Sequence, residues 1–180
     1  PIDKWSDDLA VAPGEIGEIS VKGDLVSRQY FENQAANRLS KIKDGDSIIH
    51  RMGDVGWMDQ KKRIWFCGRK SHRVITAGNT LFTIPCESLF NRPPRVFRSA
   101  LVGVGPPGRQ EPVICIELHK SDNGKNREHL KNELLKIAAA NDLTKSIQTV
   151  LFHKSFPVDI RHNSKIFREK LALWAEKKLR

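Results

Sequence analysis

The sequence has few cysteines and no long apolar run. Its three cysteines, Cys67, Cys86 and Cys115, stand far apart and form no Cys-x-x-Cys pair, which argues against a disulfide framework or a zinc site and predicts a reducing, cytoplasmic environment. The longest apolar stretches, such as ALVGVG and PVICIEL, are far shorter than the roughly 20 residues that cross a bilayer. The sequence therefore predicts no membrane span and no targeting segment.

Several common catalytic motifs are also missing. The sequence has no Gly-x-Ser-x-Gly, no His-Glu-x-x-His and no paired histidines at ligand spacing, so hydrolase and metalloenzyme interpretations have no support and no metal ligand is predicted. GVGPPG, residues 103–108, matches a dinucleotide-binding fingerprint by its letters. Its two prolines remove backbone donors that such a site needs. We interpret this stretch as a loop between two core strands.

Acidic residues are outnumbered by basic ones. There are 31 Lys and Arg against 21 Asp and Glu, giving a net charge of +10, and this favours an anionic partner such as a nucleotide, a coenzyme, nucleic acid or a membrane surface. Basic residues alternate with Trp65, Phe66, Phe97 and Trp174, as they do in some nucleic-acid-binding surfaces. The periodicity assigns most of these aromatic residues to a core, however, which argues against nucleic acid.

The first 70 residues are predicted to be rich in β-structure. A short alternating strand is predicted around Ile19 and Val21, and FENQAANRLS predicts a helical turn or two. GWMD and RIWFCG alternate apolar with polar residues on either side of QKKR, which is the pattern of an antiparallel hairpin. We therefore expect a small subdomain of hairpins over residues 1–70.

From residue 71 onwards, strands and helices alternate. A strand at 73–76, a turn at Gly78 and Asn79, and a helix at about 85–90 with Thr83 as its cap are predicted. SALVGVG and VICIEL have the unbroken apolar character of strands buried on both faces. Apolar residues recur at helical spacing in two further segments, at Leu130, Leu134 and Ile137 and at Phe167, Leu171 and Trp174. The predicted class is α+β, with a compact second domain over residues 71–180 that has a short sheet and flanking helices.

Three polar residues stand where a nucleotide site would use them. Asp54 follows a glycine at a strand entrance, where a carboxylate could accept both ribose hydroxyls. Arg69 offers a fork of donors for phosphate or carboxylate, and Lys165 precedes the last helix, whose N-terminus favours an anion. Each also has an ordinary interpretation, as a turn aspartate, a surface arginine or a solvated lysine. The local pattern alone favours those interpretations.

Five motifs occur in order along essentially the whole chain: GEIGEISVKG, Tyr30, HRMGDVGWMDQKKRIWFCGRK, GNTLFTIPCE, and NSK followed by a helix. Together they resemble the C-terminal part of the acyl-adenylate-forming superfamily, which includes acyl-CoA synthetases, luciferases and peptide-synthetase adenylation domains. TLFTIPCESLFN, FRSALVGVG and FPVDIRHNSKIFREKLALWAEKKL are most similar to the β-lactone synthetases of bacterial olefin biosynthesis.

The resemblance implies a role for the three polar residues. Asp54 matches the aspartate that holds the ribose hydroxyls, and Arg69 matches the arginine that contacts ribose or phosphate. Lys165 matches the lysine expected to bridge the substrate carboxylate and the α-phosphate, although serine replaces the usual glycine before it. The resemblance thus makes Lys165 the expected catalytic residue.

The resemblance also implies residues for a second step and for a hinge. Gly78 corresponds to the glycine of the loop that enters the active site after a domain rotation, and Glu87 closes that motif. Lys70 and Ser71 occupy the hinge. Thr80 stands where some coenzyme A ligases have a phosphate-binding arginine, so the use of coenzyme A is left open.

The implied activity is the AMP-forming activation of a carboxylic acid, in which a small-molecule carboxylate and ATP give acyl-AMP and pyrophosphate with the help of magnesium. For the nearest group, the expected conversion is a β-hydroxy fatty acid to a β-lactone. A fatty-acyl-CoA ligase and a peptide-synthetase-like adenylation enzyme are the alternatives. A stand-alone basic binding module with the same fold is a hypothesis of a different class.

The chain lacks the Ser/Thr/Gly-rich phosphate loop and the Tyr-Gly-x-Thr-Glu-like stretch of the family, and it starts at Pro1. We therefore expect a fragment whose residues 1–70 are the last subdomain of a large adenylation domain and whose residues 71–180 are the lid. The missing N-terminal domain is the expected partner and the main binder of ATP and magnesium. The fragment alone is expected to be inactive.

Overall fold

The computed structural model describes residues 1–122, 126–159 and 161–180. They form two compact units, Pro1–Ser71 and His72–Arg180. Both units contain sheets and helices, so the predicted α+β class is confirmed. The change of unit falls one residue after the boundary predicted from the sequence. None of the helices within the described ranges has the length and apolar character needed to cross a membrane.

The first unit is built on one long strand. Strands β1 (Gly17–Val21), β2 (Lys41–Asp44) and β4 (Ile64–Arg69) all pair antiparallel with β3 (Ser47–Met58). Helix α1 (Gln34–Ser40) follows Asn33, whose side chain accepts a hydrogen bond from the Ala36 N–H at 3.0 Å and so caps the helix. A 3-10 turn at Asp7–Leu9 precedes β1. The sequence did not predict β2.

The predicted hairpin around QKKR is confirmed as β3 and β4. Its turn is organised by the Asp59 carboxylate, which accepts hydrogen bonds from the N–H groups of Lys61 and Arg63, both at 2.9 Å, and from Trp65 Nε1 at 3.0 Å. Trp57 and Trp65 face each other across the ladder and stack with ring centroids 5.7 Å apart. Local side-chain bonds therefore set the register of this hairpin.

Most large apolar side chains of the first unit are exposed. Within residues 1–71, all of which the structure describes, the buried apolar residues are Ile42, Ile49, Val55 and Cys67. The exposed ones are Leu9, Val11, Ile16, Val21, Leu25, Tyr30, Phe31, Leu39, Met52, Met58, Ile64, Trp65 and Phe66. The expectation that Trp65 and Phe66 belong to a core is thus wrong, and Phe97 of the second unit is also half exposed. The alternation of apolar and polar residues predicts that a strand has an apolar face, but it does not predict whether another element covers that face.

The second unit is a three-stranded sheet with helices on both faces. Strand β7 (Val96–Val104) pairs antiparallel with β8 (Glu111–Leu118), which pairs in parallel with β9 (Thr149–Phe152). One face packs against α2 (Thr83–Phe90) and α3 (Arg127–Ala139), and the other packs against α4 (Arg168–Leu179). The prediction that β7 and β8 are buried on both faces is confirmed. The first two residues of the GVGPPG stretch, Gly103 and Val104, end β7, and its remaining residues lie in the predicted loop to β8.

Two short hairpins complete the second unit. Strands β5 (Val74–Ile75) and β6 (Thr80–Leu81) pair with each other, as do β10 (Val158–Asp159) and β11 (His162–Ile166). Helix α2 follows β6 directly, so Phe82 is its N-cap, and Thr83 is already helical and buried. The prediction of Thr83 as the cap is therefore wrong. Lys165 lies in β11, three residues before α4, and not at the start of that helix as the sequence suggested.

Candidate functional site

Asp54 and Arg69 face each other across the β3–β4 ladder. Arg69 Nη1 lies 3.1 Å from Asp54 Oδ1 and donates a hydrogen bond to the Met52 carbonyl, also at 3.1 Å. Gly53, just before Asp54, has a φ of 70°, a conformation that glycine adopts without strain. The hairpin therefore brings together two side chains that the sequence analysis had considered separately.

The Asp54 carboxylate keeps unused acceptor capacity. Its Oδ1 atom is buried and, despite the nearby guanidinium, has no hydrogen bond of acceptable geometry, while 24% of the side chain remains exposed. A carboxylate offers about four acceptor positions. Arg69 is 56% exposed, so several of its donors face solvent. The pair can accept hydroxyl groups on one side and hold an anion on the other.

A second acidic residue near this site, Glu18, links β1 to β3 and to the predicted hinge. Its Oε2 atom accepts hydrogen bonds from Arg51 Nη2 at 2.5 Å, Arg51 Nε at 3.0 Å and Lys70 Nζ at 2.6 Å. Burial works against ionisation of Glu18, but the bonds and charges of Lys70 and Arg51 outweigh it and hold the pKa of Glu18 below its ordinary value. The side chain of Lys70 is thereby anchored within the first unit.

Sequence reasoning missed this network. Glu18 is separated from Arg51 by 33 positions and from Lys70 by 52 positions, and no local pattern links the three residues. The three residues come together only because β1 pairs with β3 in the observed register. Ser71, the other predicted hinge residue, is exposed and lies in the 3-10 turn Lys70–His72.

Gly78 lies in the turn between β5 and β6. The Thr76 hydroxyl accepts hydrogen bonds from the Gly78 N–H at 3.3 Å and the Asn79 N–H at 2.9 Å, and the Thr76 N–H donates to the Asn79 carbonyl at 2.9 Å. A Cβ atom added to Gly78 would meet no atom within 4 Å. The fold of the loop therefore leaves Gly78 sterically open towards any group that approaches it.

Lys165 is exposed on strand β11. The preceding turn is held by Asp159, whose Oδ1 accepts a hydrogen bond from the Arg161 N–H at 2.9 Å. The N–H and guanidinium of Arg161, with a smaller contribution from the charge of Lys165, hold the pKa of Asp159 below its ordinary value. The structure thus presents Lys165 at the surface of the second unit, where its charge acts on Asp159.

Glu87 lies in the interior of the second unit and not at the tip of a loop. Its carboxylate accepts a hydrogen bond from the Leu101 N–H at 2.8 Å and two from Arg168, at 2.5 Å to Oε1 and 3.0 Å to Oε2. Burial raises the pKa of Glu87, and the charge of Arg168 and the bond from Leu101 oppose that rise. No local sequence pattern marks Arg168 as the partner of Glu87, because the two residues are 81 positions apart.

Within the described residues, the cysteines and metal-ligating side chains form no further centre. All three cysteines are free and buried, and burial raises the pKa of Cys86 and Cys115 to about 12, so neither is a ready nucleophile. Across residues 1–122, 126–159 and 161–180, no group of three or more His, Cys, Asp or Glu side chains is arranged to hold a metal ion.

Two curated relatives match nearly the whole chain. An olefin β-lactone synthetase of Xanthomonas campestris pv. campestris is 47% identical over 179 residues, and one of Stenotrophomonas maltophilia is 45% identical over 184 residues. These matches cover 97% and 99% of the chain but 32% and 33% of the relatives. The chain therefore spans about a third of their length. No family model matches the chain.

A ligase and a solved structure extend the comparison. A 2-succinylbenzoate–CoA ligase of Bacillus licheniformis is 34% identical over 92 residues, which are 51% of the chain and 18% of the ligase. The crystal structure of ATP-bound MatB from Rhodopseudomonas palustris superposes with a TM-score of 0.77 at 19% identity, covering 99% of the chain and 34% of that protein. At this identity, the likeness shows a shared fold.

Proposed function

Because the chain belongs to the acyl-adenylate-forming superfamily and matches its C-terminal part, we propose that it forms part of an ATP-dependent, AMP-forming acid-activating enzyme. The structural observation that carries this proposal is the Asp54–Arg69 pair, in which a carboxylate with free acceptor positions lies beside a half-exposed guanidinium. That combination suits the ribose and phosphate of a nucleotide.

In the proposed reaction, a carboxylate oxygen of the acid attacks the α-phosphorus of ATP. The new bond joins the acid to AMP, the bond to the β-phosphate breaks, and pyrophosphate leaves. Two anions must meet, so a cation near the attacking and accepting groups lowers the barrier. We propose that Lys165 is this cation. Asp54 would accept hydrogen bonds from the ribose hydroxyls, and Arg69 would contact the ribose or a phosphate.

Magnesium and most of the ATP contacts are assigned outside this chain. Magnesium would neutralise phosphate charge when bound, but the described residues offer no cluster to hold it, so we give none of them that role. The acid-binding pocket is likewise assigned to an N-terminal domain. This division is supported by the lengths of the relatives, of which the chain spans about a third.

The surface of the first unit supports packing against that N-terminal domain. Its exposed apolar side chains outnumber its buried ones, and a groove of about 400 Å³ is lined by Trp5, Leu9, Val11, Trp57 and Met58. Large exposed apolar patches mark surfaces that contact another protein segment. We therefore propose that residues 1–70 complete an adenylation domain and residues 71–180 are its lid, with a hinge at Lys70 and Ser71. The buried free thiols suit a cytoplasmic location.

The second step distinguishes the two leading activities. We propose that the hydroxyl of a β-hydroxyacyl adenylate attacks its own acyl carbon, AMP leaves and the hydroxyl proton passes to a base, giving a β-lactone. The two relatives that match along the whole chain support this choice. A coenzyme A ligase is the second candidate, supported by the ligase that matches half of the chain. Gly78 is assigned to the loop that serves this step, whereas Glu87, which closes the same motif, lies buried in helix α2 and is given no contact with the substrate.

The test uses the full-length protein, ATP, magnesium and a β-hydroxy fatty acid, with and without coenzyme A. Lactone and AMP formed without the coenzyme are the expected products. A thioester formed only with the coenzyme would select the ligase. If no carboxylic acid, with or without a β-hydroxyl, released pyrophosphate, the acid-activating function itself would be refuted.

A further inference from the structure

The strand that carries Lys165 belongs to a hairpin with few hydrogen-bonded neighbours. β11 pairs with β10 through Val158 opposite Ile166 and Asp159 opposite His162. Within the described residues, neither strand joins the ladder of β7, β8 and β9. The direction in which Lys165 is presented must therefore be set at the base of the hairpin, where the chain enters the core.

Arg168 is the first polar anchor after Lys165. It begins α4, its side chain is 13% exposed, and its guanidinium donates to both oxygens of Glu87 and, at 3.3 Å, to the Leu101 carbonyl. Glu87, whose side chain is 8% exposed, accepts a further hydrogen bond from the Leu101 N–H. One buried cluster therefore joins α2, β7 and the start of α4.

The geometry of this cluster constrains the hairpin closely. The planar guanidinium meets the carboxylate with two parallel bonds, which fixes orientation as well as distance. Arg168 lies three positions after Lys165, and an extended chain over three positions spans only about 10 Å. Ile166, between them, packs on the same face of the sheet as Leu171 of α4. A change in the geometry of the Glu87–Arg168 pair would therefore shift Lys165, because only a short, partly buried segment connects them.

We propose that the Glu87–Arg168 ion pair is a positioning device that sets the place of Lys165 for adenylate formation. The proposal rests on the catalytic role assigned above to Lys165. In this proposal, Arg168 and Glu87 contact neither ATP nor the acid, because their polar groups bond to each other and to the Leu101 backbone. They act through the backbone of β11, and the buried pair holds that backbone against the sheet.

The experiment measures two half-reactions of the full-length protein in single-turnover conditions. Pyrophosphate release from ATP and acid reports the first step, and AMP release from a supplied acyl-adenylate reports the second. Arg168→Lys keeps the positive charge but loses the two parallel hydrogen bonds to Glu87. Glu87→Gln removes the negative charge but keeps an acceptor for the Leu101 N–H. Since displacement of a catalytic group by about 1 Å costs about 100-fold, we expect each variant to lower the first rate about 100-fold and to leave the second near its wild-type value.

Arg95→Lys is the matched control. Arg95 forms a two-bonded pair with Asp122 in the same unit, at 2.7 and 3.2 Å, and it stands just before β7, whereas Arg168 begins α4. The control should keep both rates. Thermal melting of each variant confirms that the assayed protein is folded.

A second comparison separates positioning from general stability. In a Lys165→Ala background, Arg168→Lys should not lower the rate of pyrophosphate release further. Its effect depends on the position of the Lys165 amine, which that background lacks. The proposal is overturned if Arg168→Lys keeps the wild-type first rate, lowers both steps equally, lowers only the second, or adds a further loss to Lys165→Ala. If Lys165→Ala itself forms adenylate at the wild-type rate, the proposed function of Lys165 fails instead.

Discussion

At the scale of single residues, the candidate nucleotide site depends on Asp54, an aspartate that accepts fewer hydrogen bonds than its carboxylate can. Asp54 Oδ1 is buried beside Arg69 without a well-formed hydrogen bond, and the rest of the carboxylate reaches the surface. A structural aspartate such as Asp59 looks different, because its oxygens are filled by bonds from its own turn. This contrast between two aspartates of one hairpin is what favours a ligand role for Asp54.

Replacing Asp54 should therefore impair the use of the ribose. Hydrogen bonds to a charged group contribute about 1.5–3 kcal/mol, so we expect Asp54→Ala to lower kcat/KM for ATP by about 10- to 100-fold. Wild-type protein should also discriminate against 2′-deoxy-ATP, and the variant should lose that discrimination. Asp24→Asn, at an exposed acid of the same unit, is the control. Unchanged discrimination in Asp54→Ala would contradict the assignment.

Lys165 should be required for one step and dispensable for the other. It is expected to stabilise charge while the acid attacks ATP, and a positioned cation has little to do once the adenylate exists. Lys165→Ala in the full-length protein should lose about 100-fold or more in pyrophosphate release and still consume a supplied acyl-adenylate. Lys154→Ala is an exposed control in the same unit. Equal losses in the two steps would count against the assignment.

At the scale of elements, the Glu18 network connects three parts of the first unit. Glu18 on β1 binds Arg51 on β3 and Lys70 just after β4. Because Lys70 is a proposed hinge residue, this ion pair anchors the hinge on the side of the first unit. If the lid rotates as proposed, the backbone torsion angles that change would then be those of Ser71 and the residues that follow it.

The network predicts how the first unit responds to acid. The folded-state pKa of Glu18 lies below its ordinary value of 4.5, so between those two values the unfolded state binds more protons. Its stabilising contribution is present above the ordinary pKa and is lost as the pH falls through the lowered one. Glu18→Gln should flatten this part of the profile in unfolding followed by tryptophan fluorescence from about pH 7 to about pH 3. Glu32→Gln, outside the network, should keep the wild-type slope.

At the scale of the whole molecule, the two units differ in how well they bury their apolar residues. The second unit has apolar clusters on both faces of its sheet, with Leu101, Ile114 and Leu134 in one and Val113 and Leu171 in the other. The first unit buries few apolar side chains and exposes many. A domain of about 70 residues with so small a core is not expected to be stable by itself.

Expression of the separate units should therefore give different results. Residues 72–180 should melt cooperatively by circular dichroism, whereas residues 1–71 should bind a hydrophobic dye and show no sharp transition. The 180-residue chain alone should release no pyrophosphate from ATP and acid. A cooperative melt of residues 1–71 would show that their exposed apolar surface needs no cover.

The parts that depend on local pattern could be predicted from the sequence. The β3–β4 hairpin, the strands β7 and β8 and the helices α3 and α4 follow from alternation and helical spacing, because those signals lie within a few neighbouring residues. The prediction of Thr83 as the cap of α2 is wrong, because β6 runs directly into that helix and Phe82 is its N-cap. The exposure of Trp65 and Phe66 also depends on elements beyond their own strand.

By itself, the sequence determined the α+β class, the order of the main elements and, through its resemblance to a known superfamily, the residues Asp54, Arg69 and Lys165 as candidates. Only the tertiary structure decided how they are held. The Asp54–Arg69 pair depends on strand register, and Glu18 with Lys70 and Glu87 with Arg168 depend on contacts across 52 and 81 positions. Burial and register arise from the packing of distant segments, so no local pattern of residues could have specified these bonds.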